Sequence, residues 1–258
     1  MNIQWGISTA CMYPQPIEKT LKLYVESGIS STELFVNTCS EFSASFTRRY
    51  RAILKGGNTK VVSVHPFTSA IEGLLLFSEY KRRFDEGLEF YKRYFHFAAE
   101  IGAKFVVLHG CLQPPGVPEE VYWERYDRLY RQSVSQGVRL AQENVFRYMS
   151  GSLDMLRRMK ENIPDVCFVL DIKQAVRCGY DPFEVMDVMG GRIVHLHVSD
   201  NSPESDCLPP GKGNFDFGKL VNKLQVFNME FFPVIELYRG NYENFQDLHN
   251  SYRYLQGL

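Results

Sequence analysis

Short, nearly continuous apolar runs alternate along the chain with longer segments whose apolar residues recur every three or four positions. The runs are Ile3–Ser8, Ser31–Phe35, Lys60–His65, Lys104–His109, Val138–Glu143, Val166–Asp171, Arg192–His197 and Phe232–Glu236. Their length and β-branched content predict strands. Because they do not alternate strictly between apolar and polar, they predict strands buried on both faces, as in a parallel sheet.

The segments between them carry helix signals. Pro16 suits the first turn of a helix running to about Ser27, with Gly28 as its stop. Tyr80–Ile101 repeats Phe84, Leu88, Tyr91, Tyr94 and Phe95 at three- and four-residue spacings and stops at Gly102. Pro118–Gln136 opens with two glutamates, which favour a helix N-terminus. Asp216 is placed to cap Phe217–Phe227, and Asn244 to Leu255 forms a last helix.

Polar residues close the runs at Glu33, His65, His109, Glu143, Asp171, His197 and Glu236, at intervals of 32, 44, 34, 28, 26 and 39 residues. One βα unit takes ~30 residues, so eight of them predict an α/β chain folded as a (β/α)₈ TIM barrel with right-handed crossovers. No GxGxxG follows the first run, which argues against a dinucleotide-binding open sheet. No linker or low-complexity tract interrupts residues 1–258, so one domain is expected.

Composition supports a folded enzyme-sized barrel. Of 258 residues, 45% are hydrophobic and 14% aromatic, enough for a large core and too many for a disordered chain. The net charge of −1 gives no general attraction to nucleic acid. No segment has the ~20 apolar residues needed to cross a bilayer, and MNIQWGIST lacks a secretion signal. The six cysteines form no CxxC pair and read as thiols, giving an expected cytoplasmic location. Cys11, Cys39, Cys111, Cys178 and Cys207 follow strand runs and are expected to be small apolar filler.

In a barrel, all C-terminal strand ends meet at one mouth, where active sites are built. Here those ends carry His, Asp and Glu, and four of the six histidines (His65, His109, His195 and His197) lie in strand runs. Charges gathered in one mouth are costly unless paired or metal-bound, so the convergence points to a metal site.

The motifs STELF, VSVHP, VVLHG, LAQENV, VLDIKQA, IVHLHVSDN, LPPGKGNFDF and PVIEL follow one another across nearly the whole chain. In this order and spacing they resemble the xylose isomerase-like TIM barrels, a superfamily of sugar isomerases, epimerases and dehydratases that also includes the family 2 apurinic/apyrimidinic endonucleases. The resemblance implies a metal held by Glu143, Asp171, His197 and Glu236. His197 is preferred to His195 by its three-residue spacing to Asp200. Three carboxylates and an imidazole favour Mn²⁺, Mg²⁺ or Co²⁺, with Zn²⁺ possible.

The resemblance further implies that Glu143 and Glu236 exchange a carbon-bound proton from opposite sides of a metal-held enediolate. The expected activity is a sugar or sugar-phosphate isomerase or epimerase, with a polyol dehydratase or an abasic-site endonuclease as alternatives. His65 and His109 match histidines of the third and fourth strands and are expected to bind substrate hydroxyls, a second metal with Glu143 being the other option. Gln174 suits a sugar hydroxyl through its donor and acceptor. Lys212, Lys173 and Arg239 bring positive charge near the mouth, and Lys212 is a candidate for a carboxylate or phosphate. Glu33 fits the mouth or a structural ion pair. The GKG turn is too short for a Walker A loop. Phe67 and Trp123 are candidate sugar covers.

The endonuclease members require further histidines, and here the corresponding positions carry Gln174 and Cys207, with Ser205 in place of an aspartate. The expected partner is therefore a small sugar or sugar phosphate rather than nucleic acid or membrane. The aromatic face of Tyr122–Tyr130 permits a homo-oligomer.

Overall fold

The computed structural model describes residues 3–227 and 229–258. Eight parallel strands close a barrel: β1 (Gly6–Ser8), β2 (Ser31–Phe35), β3 (Lys60–His65), β4 (Phe105–Leu108), β5 (Arg139–Glu143), β6 (Phe168–Asp171), β7 (Ile193–Val198) and β10 (Pro233–Ile235). Their order round the barrel is β1-β10-β7-β6-β5-β4-β3-β2. The expected (β/α)₈ barrel is therefore the fold. Met1, Asn2 and Asn228 of the range expected to form one domain lie outside the described residues.

The outer layer comprises α1 (Ile17–Glu26), α2 (Ala44–Leu54), α3 (Glu72–Leu75), α4 (Lys81–Ile101), α5 (Glu119–Ser135), α6 (Leu153–Asn162), α7 (Ile172–Arg177), α8 (Pro182–Met189), α9 (Phe217–Val226) and α10 (Phe245–Gln256). The sequence signals act where they stand. Gly102 ends α4 at φ +84°, a left-handed conformation that glycine adopts without a Cβ penalty. Asp216 caps α9 by accepting from Lys219 N at 2.8 Å. On α4, Phe84, Tyr91, Tyr94 and Phe95 are all buried against the barrel wall.

Some features depart from the expected pattern. A short antiparallel hairpin, β8 (Asp200–Ser202) with β9 (Ser205–Leu208), follows β7 on the mouth side. The units after β3 and β6 each contain two helices, α3 with α4 and α7 with α8, instead of one.

The barrel interior is layered. Val62, Phe105, Val107, Ala141, Cys167, Val169, Val194, Phe232 and Val234 form an apolar plug. Two register shifts place polar residues above it. Thr32 pairs with Val61 but Glu33 with Ser63, skipping Val62, and Phe168 pairs with Ile193 but Val169 with His195, skipping Val194. Val62 packs in the plug while the next residue, Ser63, hydrogen-bonds Glu33. Two successive inward side chains violate the two-residue pleat, and a bulge permits it.

Candidate metal centre

Glu143 and Asp171 end β5 and β6, His197 lies in β7, and Glu236 directly follows β10. The geometry brings their side chains together at the centre of the mouth. His197 Nδ1 stands 3.7 Å from Glu143 Oε2, 3.7 Å from Asp171 Oδ2 and 3.5 Å from Glu236 Oε2. One ligand atom from each of the four lies within 4.8 Å of every other. Ligands at roughly 2.1 Å from one ion stand about 3–4 Å apart, so the spacing fits a divalent cation.

A second observation concerns hydrogen bonding. Glu143 Oε2, Asp171 Oδ2 and His197 Nδ1 are buried and make no well-formed hydrogen bond, with His109 Nε2 at 3.1 Å from Glu143 Oε2 and Lys173 Nζ at 3.4 Å from Asp171 Oδ2 as charge partners only. Buried polar atoms are ordinarily in well-formed hydrogen bonds, and three that are not, facing one point, match the donor set of an oxygen-rich metal site.

The charges are strongly coupled. Burial works against ionisation of Glu143, but His109 and His197 outweigh it and hold the carboxyl well below its usual range. Burial likewise disfavours a charged His197, yet Glu236, Glu33 and Glu143 hold the imidazolium well above its ordinary range. Asp171 is raised, chiefly by burial, with Lys173 opposing.

Lys173 is buried within this group, Nζ 2.9 Å from Glu236 Oε2 and 3.4 Å from Asp171 Oδ2. It also lies 4.7 Å from the centroid of the Tyr238 ring, whose hydroxyl accepts from Arg177 at 2.7 Å. Lys173 is therefore part of the cluster rather than a charge at its rim.

A cavity of about 590 Å³ opens above these residues, lined among others by Tyr13, Phe35, Asn37, Phe67, Tyr238 and Arg239. His65 and His109 face it with their Nε2 atoms 3.0 Å apart, and His109 Nε2 lies 3.1 Å from Glu143 Oε2. With Glu143 they form a second group able to hold an ion. Gln174 lines the same cavity; its Oε1 accepts from Phe146 N at 3.1 Å, which leaves its amide N–H groups for the cavity. Phe67 is in the wall, whereas Trp123 packs edge-on against Tyr122 on α5, away from the lining.

Lys212 does not reach the cavity lining. It is exposed on the GKG turn, which folds around Asp200. Asp200 Oδ2 accepts from Gly211 N and Gly213 N, each at 2.9 Å, and Oδ1 accepts from Phe215 N at 2.9 Å. A Cβ on Gly213 would collide with the Asn201 carbonyl, so this wrapping requires glycine. Arg239 reaches the mouth, but its guanidinium donates to the carbonyls of Tyr242 and Glu243. The cysteines are free thiols; Cys11, Cys111 and Cys207 are buried, and among the described residues none joins a metal-competent group.

Some supporting residues gave no signal in the sequence. Glu72, on the short α3, is fully buried and accepts from His109 N and Gly110 N, each at 2.7 Å, and from the Tyr91 hydroxyl at 2.6 Å. It thereby fixes the turn that carries His109. Asn144 ties β5 to β6, accepting from Asp171 N at 2.8 Å and donating to Asp171 O at 2.9 Å. Glu33 lies below the mouth rather than in it, fully buried between Ser8, Ser63, His195 and His197.

Fold, layered interior and convergent carboxylates define a (β/α)₈ barrel with a metal-competent mouth, and the chain belongs to the xylose isomerase-like TIM barrel family, whose model matches residues 21–255. It is 25% identical over 242 residues to an uncharacterized protein of Mycobacterium leprae (strain TN), covering 82% of this chain and 80% of that one. The fold is shared with the apo form of 3-keto-D-glucoside 4-epimerase YcjR from E. coli (TM-score 0.80, 18% identity, 100% of both chains). It is shared too with the IolI protein carrying a zinc atom (TM-score 0.77, 15% identity, 98% and 96% covered). Among the described residues no helix is long and apolar enough to cross a membrane.

Proposed function

We propose that the chain is a metal-dependent sugar isomerase or epimerase whose one divalent cation is held by Glu143, Asp171, His197 and Glu236. The observation that carries this reading is the convergence of four buried or half-buried ligand atoms, from Glu143, Asp171, His197 and Glu236, within 4.8 Å of one another beneath a cavity of about 590 Å³. The epimerase YcjR, which shares the fold, adds support for the reaction class, and the zinc atom in IolI for a metal.

The cation would supply Lewis acidity, polarising a carbonyl and its neighbouring hydroxyl so that the C–H between them becomes acidic. The chain does the rest. One of the carboxylates Glu143 and Glu236 takes the carbon-bound proton and the other returns one, on the opposite face for an epimerisation. Lys173 balances the charge on Glu236 and orients it. His65, His109 and Gln174 offer hydrogen bonds to sugar hydroxyls, while Phe35, Phe67 and Tyr238 cover the C–H face of the ring and exclude water. The proton leaves carbon for a carboxylate and comes back from a carboxylic acid, so no other reactant is consumed.

A polyol dehydratase is the nearest alternative, because it begins with the same proton abstraction. The test is metal analysis followed by incubation with a panel of ketoses in D₂O. Deuterium incorporated at the carbon beside the carbonyl, dependent on metal and with no loss of water, supports the isomerase or epimerase. Loss of water supports the dehydratase, and no exchange with any sugar leaves only binding.

A further inference from the structure

The two ring nitrogens of His197 face different layers of the barrel. Nδ1 points at the three carboxylates of the candidate metal centre, and Nε2 lies 3.2 Å from Glu33 Oε2 in the layer below. A neutral imidazole carries one proton, and the nitrogen that lacks it is the one able to bind a cation. A carboxylate only accepts, so once a cation displaces the Nδ1 proton, Glu33 keeps the remaining one on Nε2 and leaves the Nδ1 lone pair to the cluster.

Glu33 is itself held in place. Its Oε1 accepts from Ser8 Oγ at 3.1 Å, and its Oε2 accepts from Ser63 Oγ at 2.8 Å. His195 Nε2 stands 3.3 Å from the same Oε2. These partners come from β1, β3 and β7, so three strands fix one carboxylate on β2. It is fully buried and is not part of the cavity lining, which excludes contact with substrate.

We infer that Glu33 is a positioning residue for the metal centre: it sets the tautomer and ring orientation of His197, with Ser8, Ser63 and His195 as its own anchors. The inference rests on the reading of the four-residue cluster as a cation site. Outer carboxylates that orient a ligating histidine change metal affinity by roughly 10- to 100-fold. A merely structural role, in which Glu33 only ties strands together, predicts lost stability and unchanged affinity.

The experiment is calorimetric titration of the full chain with Mn²⁺, alongside melting of the metal-free protein. Glu33→Gln, which keeps the shape and removes the charge, is expected to weaken Mn²⁺ binding by roughly 10- to 100-fold. In a His197→Gln background the same change is expected to have little further effect. Unchanged Mn²⁺ affinity in Glu33→Gln, or an equal loss in the His197→Gln background, overturns the inference while leaving the cation site standing. Wild-type protein that binds no Mn²⁺ overturns both. A readout that needs no variant is the long-range nitrogen–proton NMR spectrum of histidine-labelled, Zn²⁺-loaded wild-type protein. Nε2-protonated His197 is expected, and an Nδ1-protonated ring overturns the inference.

Discussion

The Lys173 ammonium donates to Glu236 Oε2 at 2.9 Å from a position two residues beyond Asp171, whose Oδ2 it also approaches at 3.4 Å. One cation thus serves two strand-end carboxylates. Burial opposes its charge, but Asp171 and Glu236 reverse the effect and keep the ammonium protonated well above its ordinary range.

Lys173→Met therefore leaves two buried carboxylates short of a counter-charge. Breaking a buried pair in this way costs about 3–5 kcal/mol. The metal-free variant is expected to unfold at lower urea than wild type, and Mn²⁺ is expected to restore more stability to the variant than it adds to wild type. Equal stabilisation of both by Mn²⁺ would count against a shared electrostatic site.

Glu143→Gln and Glu236→Gln each remove a proton acceptor while retaining the side chain's size. Positioned acid–base groups contribute roughly 10²–10⁴-fold. Turnover in either variant is expected to fall at least that far, with sugar binding still measurable by calorimetry. Near-normal turnover in Glu236→Gln would refute its role in proton exchange.

The pH dependence follows from His197. Its pKa is raised in the folded, metal-free protein, so its contribution to stability is complete below the unfolded value near 6.5 and is lost as pH rises through the folded value. A metal must displace the Nδ1 proton, so Mn²⁺ affinity is expected to rise over the same range and binding to release a proton. Titrations in buffers of different ionisation enthalpy measure that release directly. Binding that takes up protons, or is independent of pH, would contradict the assignment of His197 as a ligand.

Metal stoichiometry distinguishes the two uses of the histidine pair. With His65 and His109 as substrate contacts, one Mn²⁺ per chain is expected, and His65→Asn should raise KM for the sugar without changing the metal count. Two ions in wild type falling to one in His65→Asn would assign the pair to a second site shared with Glu143.

Incision of abasic DNA is not expected. Gln174 accepts from Phe146 N, and Cys207 is buried and belongs to no metal-competent group among the described residues. Metal-loaded protein incubated with a duplex carrying one abasic site should leave it intact. Clean 5′ incision that disappears in Glu143→Gln would favour the nuclease.

The strands and the metal-centre candidates were legible because strand ends in a barrel are polar where the surrounding runs are apolar. The apolar runs place His109 and Glu236 in strands, but they lie one position past β4 and β10. Glu236 N still donates to Val198 O at 3.1 Å, while the His109 N–H leaves the ladder for Glu72. Glu72 itself was invisible, since an acidic residue in a loop carries no sign that the chain will fold it under a strand end. The depth of Glu33 was hidden for a different reason. It depends on bulges at Val62 and Val194, where the pleat is broken by pairing between distant segments. Lys212 looked like an anion contact because sequence places it near the mouth, whereas its direction is set by amides that bind Asp200.

Asp200 sits in the GKG turn much as a bound anion sits in a phosphate-gripping loop, with backbone amides gathered round its two oxygens. Because the anion is covalently part of the chain, the turn is shaped before any substrate arrives, and its N–H groups are already committed. A phosphorylated sugar would find no vacant cradle on that side of the mouth. If the chain acts on a sugar as proposed, recognition falls instead to the cavity lining, where Tyr13, Phe35 and Phe67 present aromatic rings.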